Sequence, residues 1–269
     1  GAIPGDRVEV SFAETNKRYR DATLTSPIKP SPDRIEPVCS HFDECGGCDW
    51  LQWNYRAQVK AKEEMLFHLL ERNAIRFRNK SPILEAPSPL EYRNRIQLHI
   101  KDGKIGFHRR RSHEIVEIEY CHIARQELNH ALKGLRQGDW KLPRSGRIEL
   151  SLTEDGVITS LSEDESGSFV QINAAQNERL RDVVTKLVRS AGAKKILELY
   201  CGDGNLTFAY RPPQGSIIAV DRSAAAIEKA RSRDNDIGAR IDFRKLHIEK
   251  PLRNRLPVDF IQAYDTLIL

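Results

Sequence analysis

Residues 193–210, AKKILELYCGDGNLTFAY, decide the fold. They give an apolar strand, a tight loop carrying Gly202 and Gly204, and the start of a helix. GSIIAVDRSAAAIEKARSR at 215–233 repeats the pattern with a second strand and helix, and ARIDFRKLHI at 239–248 and DTLIL at 265–269 supply two more strands. Strands separated by helical segments imply a parallel, doubly wound α/β sheet with helices on both faces. Ligands bind such sheets beyond the carboxyl ends of the strands, which here carry Tyr200 to Asn205 and Asp221. GDGN lacks the third glycine of a dinucleotide fingerprint, so no pyrophosphate cradle is expected. Asp221 ends the second strand, where its carboxylate can accept hydrogen bonds from both ribose hydroxyls of a nucleoside; the plainer reading is a helix cap before SAAAIEKA. A nucleoside without phosphates fits, and S-adenosylmethionine is the common one.

Working outward, 269 residues with 39% hydrophobic content can bury a core and form two or more domains. The 43 Lys and Arg against 38 Asp and Glu leave a net charge of +5, which permits a polyanionic partner without demanding one. No apolar run approaches the roughly 18 residues of a membrane span, and no secretory signal opens the chain. A soluble, cytoplasmic monomer is expected. The chain starts at Gly1 without Met and stops on the strand pattern DTLIL, as a fragment would.

CSHFDECGGCDW at 39–50 places Cys39, Cys45 and Cys48 within ten residues as C-x5-C-x2-C, with two glycines in the last step. Five cysteines without regular disulfide spacing, in a chain large enough to need no staples, fit reduced thiols serving a metal. Cys121 is the expected fourth donor, because Cys201 sits in the glycine loop. Four thiolates suit a 4Fe-4S cluster or zinc, although structural zinc favours two paired knuckles and Cys121 has no neighbour at that spacing. Ordinary buried cysteines are the remaining alternative.

Three regions follow. Residues 1–37 alternate in short strand-like runs and end in the Pro- and Ser-rich connector SPIKPSPDRIEP, reading as a small β module. Residues 38–165 contain the cysteines and an antiparallel set of strands, RIQLHI, KIGFHRRR and EIVEIEYCHI, with Cys121 at the end of the last. In YRAQVKAKEEMLFHLLERN, Val59, Leu66, Leu69 and Leu70 share one helical face. Arg109, Arg110 and Arg111 can hold phosphates or stay hydrated, and His99, His108, His113 and His122 are read as surface or satisfied residues. RIELSLTEDGVITSL is a further hairpin, and the polar SEDESGS marks a boundary, so that 166–269 form the α/β domain.

Taken in order, CGGC, YRNRIQLHI, GFHRRRSHEIVEIEYCHI, FVQINAAQNERL and LELYCGDGN resemble the iron-sulfur RNA uracil-5-methyltransferases that act on 23S ribosomal RNA. GAIPGDRVEV through PSPDR is similar to a TRAM module, an RNA-binding β-barrel, with its first part missing. The resemblance implies a 4Fe-4S cluster on Cys39, Cys45, Cys48 and Cys121, and a methyl donor held by Gln171, Tyr200, Asn205 and Asp221, with Gly202 and Gly204 permitting close approach. His247 departs from it, standing where the family presents a short polar residue toward adenine. The family attacks C6 of uracil with a cysteine and removes the C5 proton with a carboxylate; both are expected beyond Leu269, with Cys201 a bystander, so that this chain alone would be inactive.

The implied activity is uridine C5 methylation of structured RNA with the base extruded, ribosomal RNA being favoured because tRNA-specific relatives generally lack the cluster. Alternatives are a tRNA uridine C5 methyltransferase and a non-catalytic iron-sulfur RNA-binding module. A radical enzyme using the same cofactor needs a C-x3-C-x2-C site with one open iron, and the spacing here is C-x5-C-x2-C.

Overall fold

Contacts divide the chain into two units, Gly1–Glu163 and Asp164–Leu269. The structure, a computed structural model, describes residues 1–15, 20–77, 79–138, 142–153, 156–162, 171–235, 237–247 and 264–268. The SEDESGS linker lies outside them, apart from Ser162.

The first unit begins with an antiparallel hairpin of β1 (Arg7–Thr15) and β2 (Arg20–Lys29). Asp6 fastens its base: the carboxylate accepts from the backbone N–H groups of Ile3 and Ser31, both at 2.8 Å, and pairs with Arg34. The Arg34 guanidinium holds the Asp6 carboxyl well below the usual carboxylate range. Helix α1 (Tyr55–Arg72) starts at Asn54, whose side chain accepts from the Ala57 N–H at 2.9 Å. Of its expected apolar face only Val59 is buried, while Leu66 and Leu69 are more than half exposed.

The core of this unit is a five-stranded antiparallel sheet, ordered β5-β4-β3-β6-β7, of β3 (Arg95–Lys101), β4 (Lys104–His108), β5 (Ile115–Glu117), β6 (Ser145–Thr153) and β7 (Gly156–Ser162). Period-two alternation sends Ile96, Leu98 and Ile100 of β3 and Ile148 and Leu150 of β6 to one face. There they meet Leu128, Leu132 and Leu135 from α2 (Gln126–Gln137). Sequence alternation does not announce α2, although its apolar spacing and its left-handed C-cap glycine, Gly138, are legible afterwards. The strand expected through Ile123 ends at Glu117, because Ile118, Cys121 and Ile123 turn into the core instead of continuing the ladder.

The second unit holds α3 (Ala174–Ser190), β8 (Lys195–Leu199), α4 (Thr207–Tyr210), β9 (Ser216–Asp221), α5 (Ala224–Arg233), β10 (Arg240–Lys245) and β11 (Thr266–Ile268). Its sheet is wholly parallel and ordered β10-β9-β8-β11. Because β9 and β11 flank β8 on opposite sides, the strand order reverses at β8, and the cleft beyond its carboxyl end is where such sheets bind ligands. Ile196, Leu197 and Leu199 are buried, as expected of a strand covered on both faces.

Candidate functional site

Two constellations carry chemistry. In the first unit, Cys39, Cys45, Cys48 and Cys121 line one cavity of about 170 Å³, although Cys121 is 73 positions past Cys48. The loop bearing the first three is fastened to the β4–β5 turn. Gly46 N–H donates to the His108 carbonyl at 2.9 Å, Arg110 N–H donates to the Glu44 carbonyl at 2.9 Å, and Cys45 bridges Arg109. Arg110 also pairs with Asp49 and donates to the Cys48 carbonyl, while Arg109 pairs with Glu44 at 3.0 Å and Glu114 at 3.1 Å. Two of the three arginines read as free either to hold phosphates or to stay hydrated therefore brace the cysteine loop instead.

Cys121 is held from its own side. Its N–H donates to Asn129 Oδ1 at 2.8 Å, and Asn129 Nδ2 donates to the carbonyls of Cys121 and Ala124, both at 3.2 Å. Asn129 is a buried amide on α2, and nothing local in the sequence marks it as a brace. Burial pushes the thiols of Cys45 and Cys121 up and that of Cys48 to about 11, to which the neighbouring cysteines add in the case of Cys48. Without a cation these thiols stay protonated at neutral pH. Arg93 lines the same cavity, and its buried Nε has no hydrogen-bond partner among the described residues. Among those residues no three His, Cys, Asp or Glu converge closely enough to hold a single metal ion.

In the second unit the loop after β8 is drawn onto β9. Cys201 N–H donates to the Val220 carbonyl at 3.0 Å, and Gly202 N–H donates to Asp221 Oδ2 at 2.9 Å. Asp221 Oδ1 accepts from Ser223 N–H at 2.8 Å, and Ser223 itself caps α5 through Ala226. Asp221 thus organises the loop and the helix start together, and its carboxylate still has lone pairs beyond these two bonds. Gly202 has φ +57, and a Cβ there would meet nothing within 4 Å, so the backbone faces open space. Gly204 packs directly against the Phe208 ring. Tyr200 is also left-handed, at φ 61, and is 58% exposed.

Asn205 does not face solvent alone. Its amide pairs reciprocally with that of Asn177 on α3, at 2.7 and 2.9 Å. Asn177 is a second brace invisible to local sequence reading. Gln171 lies two residues before the α3 N-cap, Asn173, and His247 is exposed two residues past β10. Cys201 is buried, and burial followed by the charges of Glu198 and Asp221 drives its thiol far above the usual range, which deprives it of a nucleophilic thiolate. Beneath the loop, Glu198 is only 2% exposed and accepts from Thr207 Oγ1 at 2.6 Å and Tyr210 Oη at 2.7 Å. Burial raises its carboxyl to about 7.

The Methyltransferase domain family matches residues 190–269, the stretch containing this loop. An uncharacterized RNA methyltransferase of Bdellovibrio bacteriovorus is 30% identical over 87% of the chain, and a 23S rRNA uracil-C5 methyltransferase of Aeromonas hydrophila is 27% identical over 86%. The chain spans 62% and 66% of the length of these two relatives. In fold it is similar to the crystal structure of a tRNA uracil-C5 methyltransferase from Pyrococcus abyssi in complex with S-adenosyl-L-homocysteine, with a TM-score of 0.67 at 21% identity, covering 90% of this chain and 74% of that one.

Proposed function

We propose that this chain, whose relatives are RNA uracil-C5 methyltransferases, binds S-adenosylmethionine at the β8 loop and contributes to methylation of uridine C5 in RNA, with 23S ribosomal RNA the favoured substrate. The observation that carries the reading is the Gly202 to Asp221 bond at the strand-order reversal. It sets a carboxylate, an open glycine backbone and an exposed aromatic ring around one cleft. A nucleoside fits this donor set: Asp221 offers acceptors for ribose hydroxyls, Gly202 leaves room for close approach, and Tyr200 offers a ring face. A bound S-adenosylmethionine supplies an electrophilic methyl group. The protein's own part is to hold that donor rigidly beside the extruded base, which turns an encounter into a positioned reaction. The attacking thiol of such chemistry is not Cys201, which stays protonated and covered.

Cys39, Cys45, Cys48 and Cys121 are the residues that would hold a 4Fe-4S cluster. Four thiols around a cavity of this size suit a multi-atom centre, and Arg93, whose buried Nε has no hydrogen-bond partner among the described residues, offers positive charge to an anionic one. The β1–β2 hairpin is read as part of a TRAM-type RNA-binding module. A monomer in the cytoplasm, where thiols stay reduced, completes the proposal; no helix among the described residues is long and apolar enough to cross a membrane.

The test incubates protein expressed from its complete reading frame with S-adenosylmethionine carrying a labelled methyl group and with 23S rRNA or tRNA transcripts. Label recovered as 5-methyluridine from 23S rRNA is expected. Label confined to tRNA would move the substrate, and label in neither would refute the activity.

A further inference from the structure

Beside the cysteine loop, sharing Gly47 and Phe107 with the thiol cavity, lies a more open concavity of about 540 Å³, within the range of small-ligand sites. Its walls include Phe107, His108, Arg111 and His113, with Gly46 and Gly47 at one side. His108 and His99 stack with ring centroids 3.6 Å apart and planes 20° from parallel, and His113 meets His108 edge-on at 5.2 Å. His99 is diagonal to His108 across β3 and β4, as the pairing of His99 with Gly106 requires. The half-buried His99 therefore fixes the plane of His108 from behind.

The charges at this turn are divided. Arg109 and Arg110 are committed to Glu44, Glu114 and Asp49. The described residues supply no acidic partner for Arg111, which is exposed and held at φ 57, a left-handed conformation costly for a side chain of its size. The bracing of its two neighbours by the cysteine loop is what leaves Arg111 facing the concavity. Gly46 lets loop and turn approach, because a Cβ there would stand 3.1 Å from the His108 carbonyl.

We propose that this concavity binds one unpaired nucleotide of RNA, its base stacked against His113 and its phosphate paired with Arg111. An aromatic ring with an adjacent guanidinium is the combination that holds single-stranded nucleic acid with little regard to sequence. The proposal rests on the RNA reading above and adds a contact surface remote in sequence from the donor loop.

The experiment measures binding of a fluorescein-labelled RNA hairpin with an unpaired loop to the purified protein across a series of KCl concentrations, with a blunt RNA duplex as comparison. Arg111→Gln is expected to lower the slope of log affinity against log salt by about one, the signature of one lost phosphate contact. His113→Ala is expected to weaken hairpin binding by about tenfold without altering duplex binding, and His113→Phe to restore it. Wild-type slope and affinity in both Arg111→Gln and His113→Ala would overturn the site while leaving the RNA reading intact. Salt-indifferent binding, or none, by the wild-type protein would overturn both.

Discussion

The thiol cavity of the first unit and the proposed donor loop of the second both involve loops fastened near strand ends, yet they are held in opposite ways. The donor loop is complete by itself: backbone donors meet Asp221, two asparagine amides pair, and a buried carboxyl receives two hydroxyls. The thiol cavity is conditional. Its scaffold of ion pairs and amide bonds positions four thiols; raised proton affinity keeps at least Cys45, Cys48 and Cys121 neutral, and their charged forms would need a cation beside them. One site is organised by hydrogen bonds within its own unit, and the other is proposed to depend also on what it binds.

The strongest way to break this contrast is Cys121→Ser. Iron and acid-labile sulfide should both be lost, and the unfolding transition of the first unit should fall by on the order of 10 °C while that of the second stays put. Metal analysis with scanning calorimetry checks both; stoichiometric zinc without sulfide would remove the cluster from the account. Loading should also weaken as pH falls, because the Cys48 thiol, raised to about 11, must release its proton to bind.

A sharper test concerns Glu198. Its carboxyl titrates near 4.5 when exposed and near 7 in the fold, so the folded state holds a proton that the unfolded state has released between those values. Stability of the second unit should therefore decline as pH rises from about 4.5 to 7, by on the order of 3 kcal/mol at most, and level off above. Glu198→Gln should flatten the decline in urea melts run across that range. An unchanged pH profile would mean that Glu198 is not the group responsible.

The mildest effect is expected from Asp221→Ala, which removes the acceptor for Gly202 and Ser223 and one proposed for ribose. Affinity for S-adenosylhomocysteine, read by calorimetry, should fall by about tenfold to a hundredfold, or roughly 1 to 3 kcal/mol. Unaltered affinity would place the donor elsewhere.

What the sequence reveals and conceals divides along the same line. Strands with regular alternation, such as β3 and β6, are legible because the pattern is local and repeats every two residues. The glycine loop, too, declares itself between an apolar strand and a helix start. The braces do not. Arg110 reaches Asp49 across 61 positions, Asn177 reaches Asn205 across 28, and in each case the partner is one polar residue among many. The three consecutive arginines read as one basic patch because only folding shows two of them already engaged. Helix α2 escapes because its apolar positions serve a sheet whose strands lie on both sides of it in sequence.

Tyr200 draws a last consequence from the donor loop. A tyrosine held at φ 61 in a conformation that favours glycine bears a penalty of about 1 kcal/mol or more, and with its ring largely exposed it recovers little of that through packing. A laboratory screen that rewards heat resistance alone would therefore drift toward glycine at this position, gaining robustness and discarding the aromatic face at the cleft. On the proposed reading of the cleft, thermal improvement and ligand capture would pull on this residue in opposite directions.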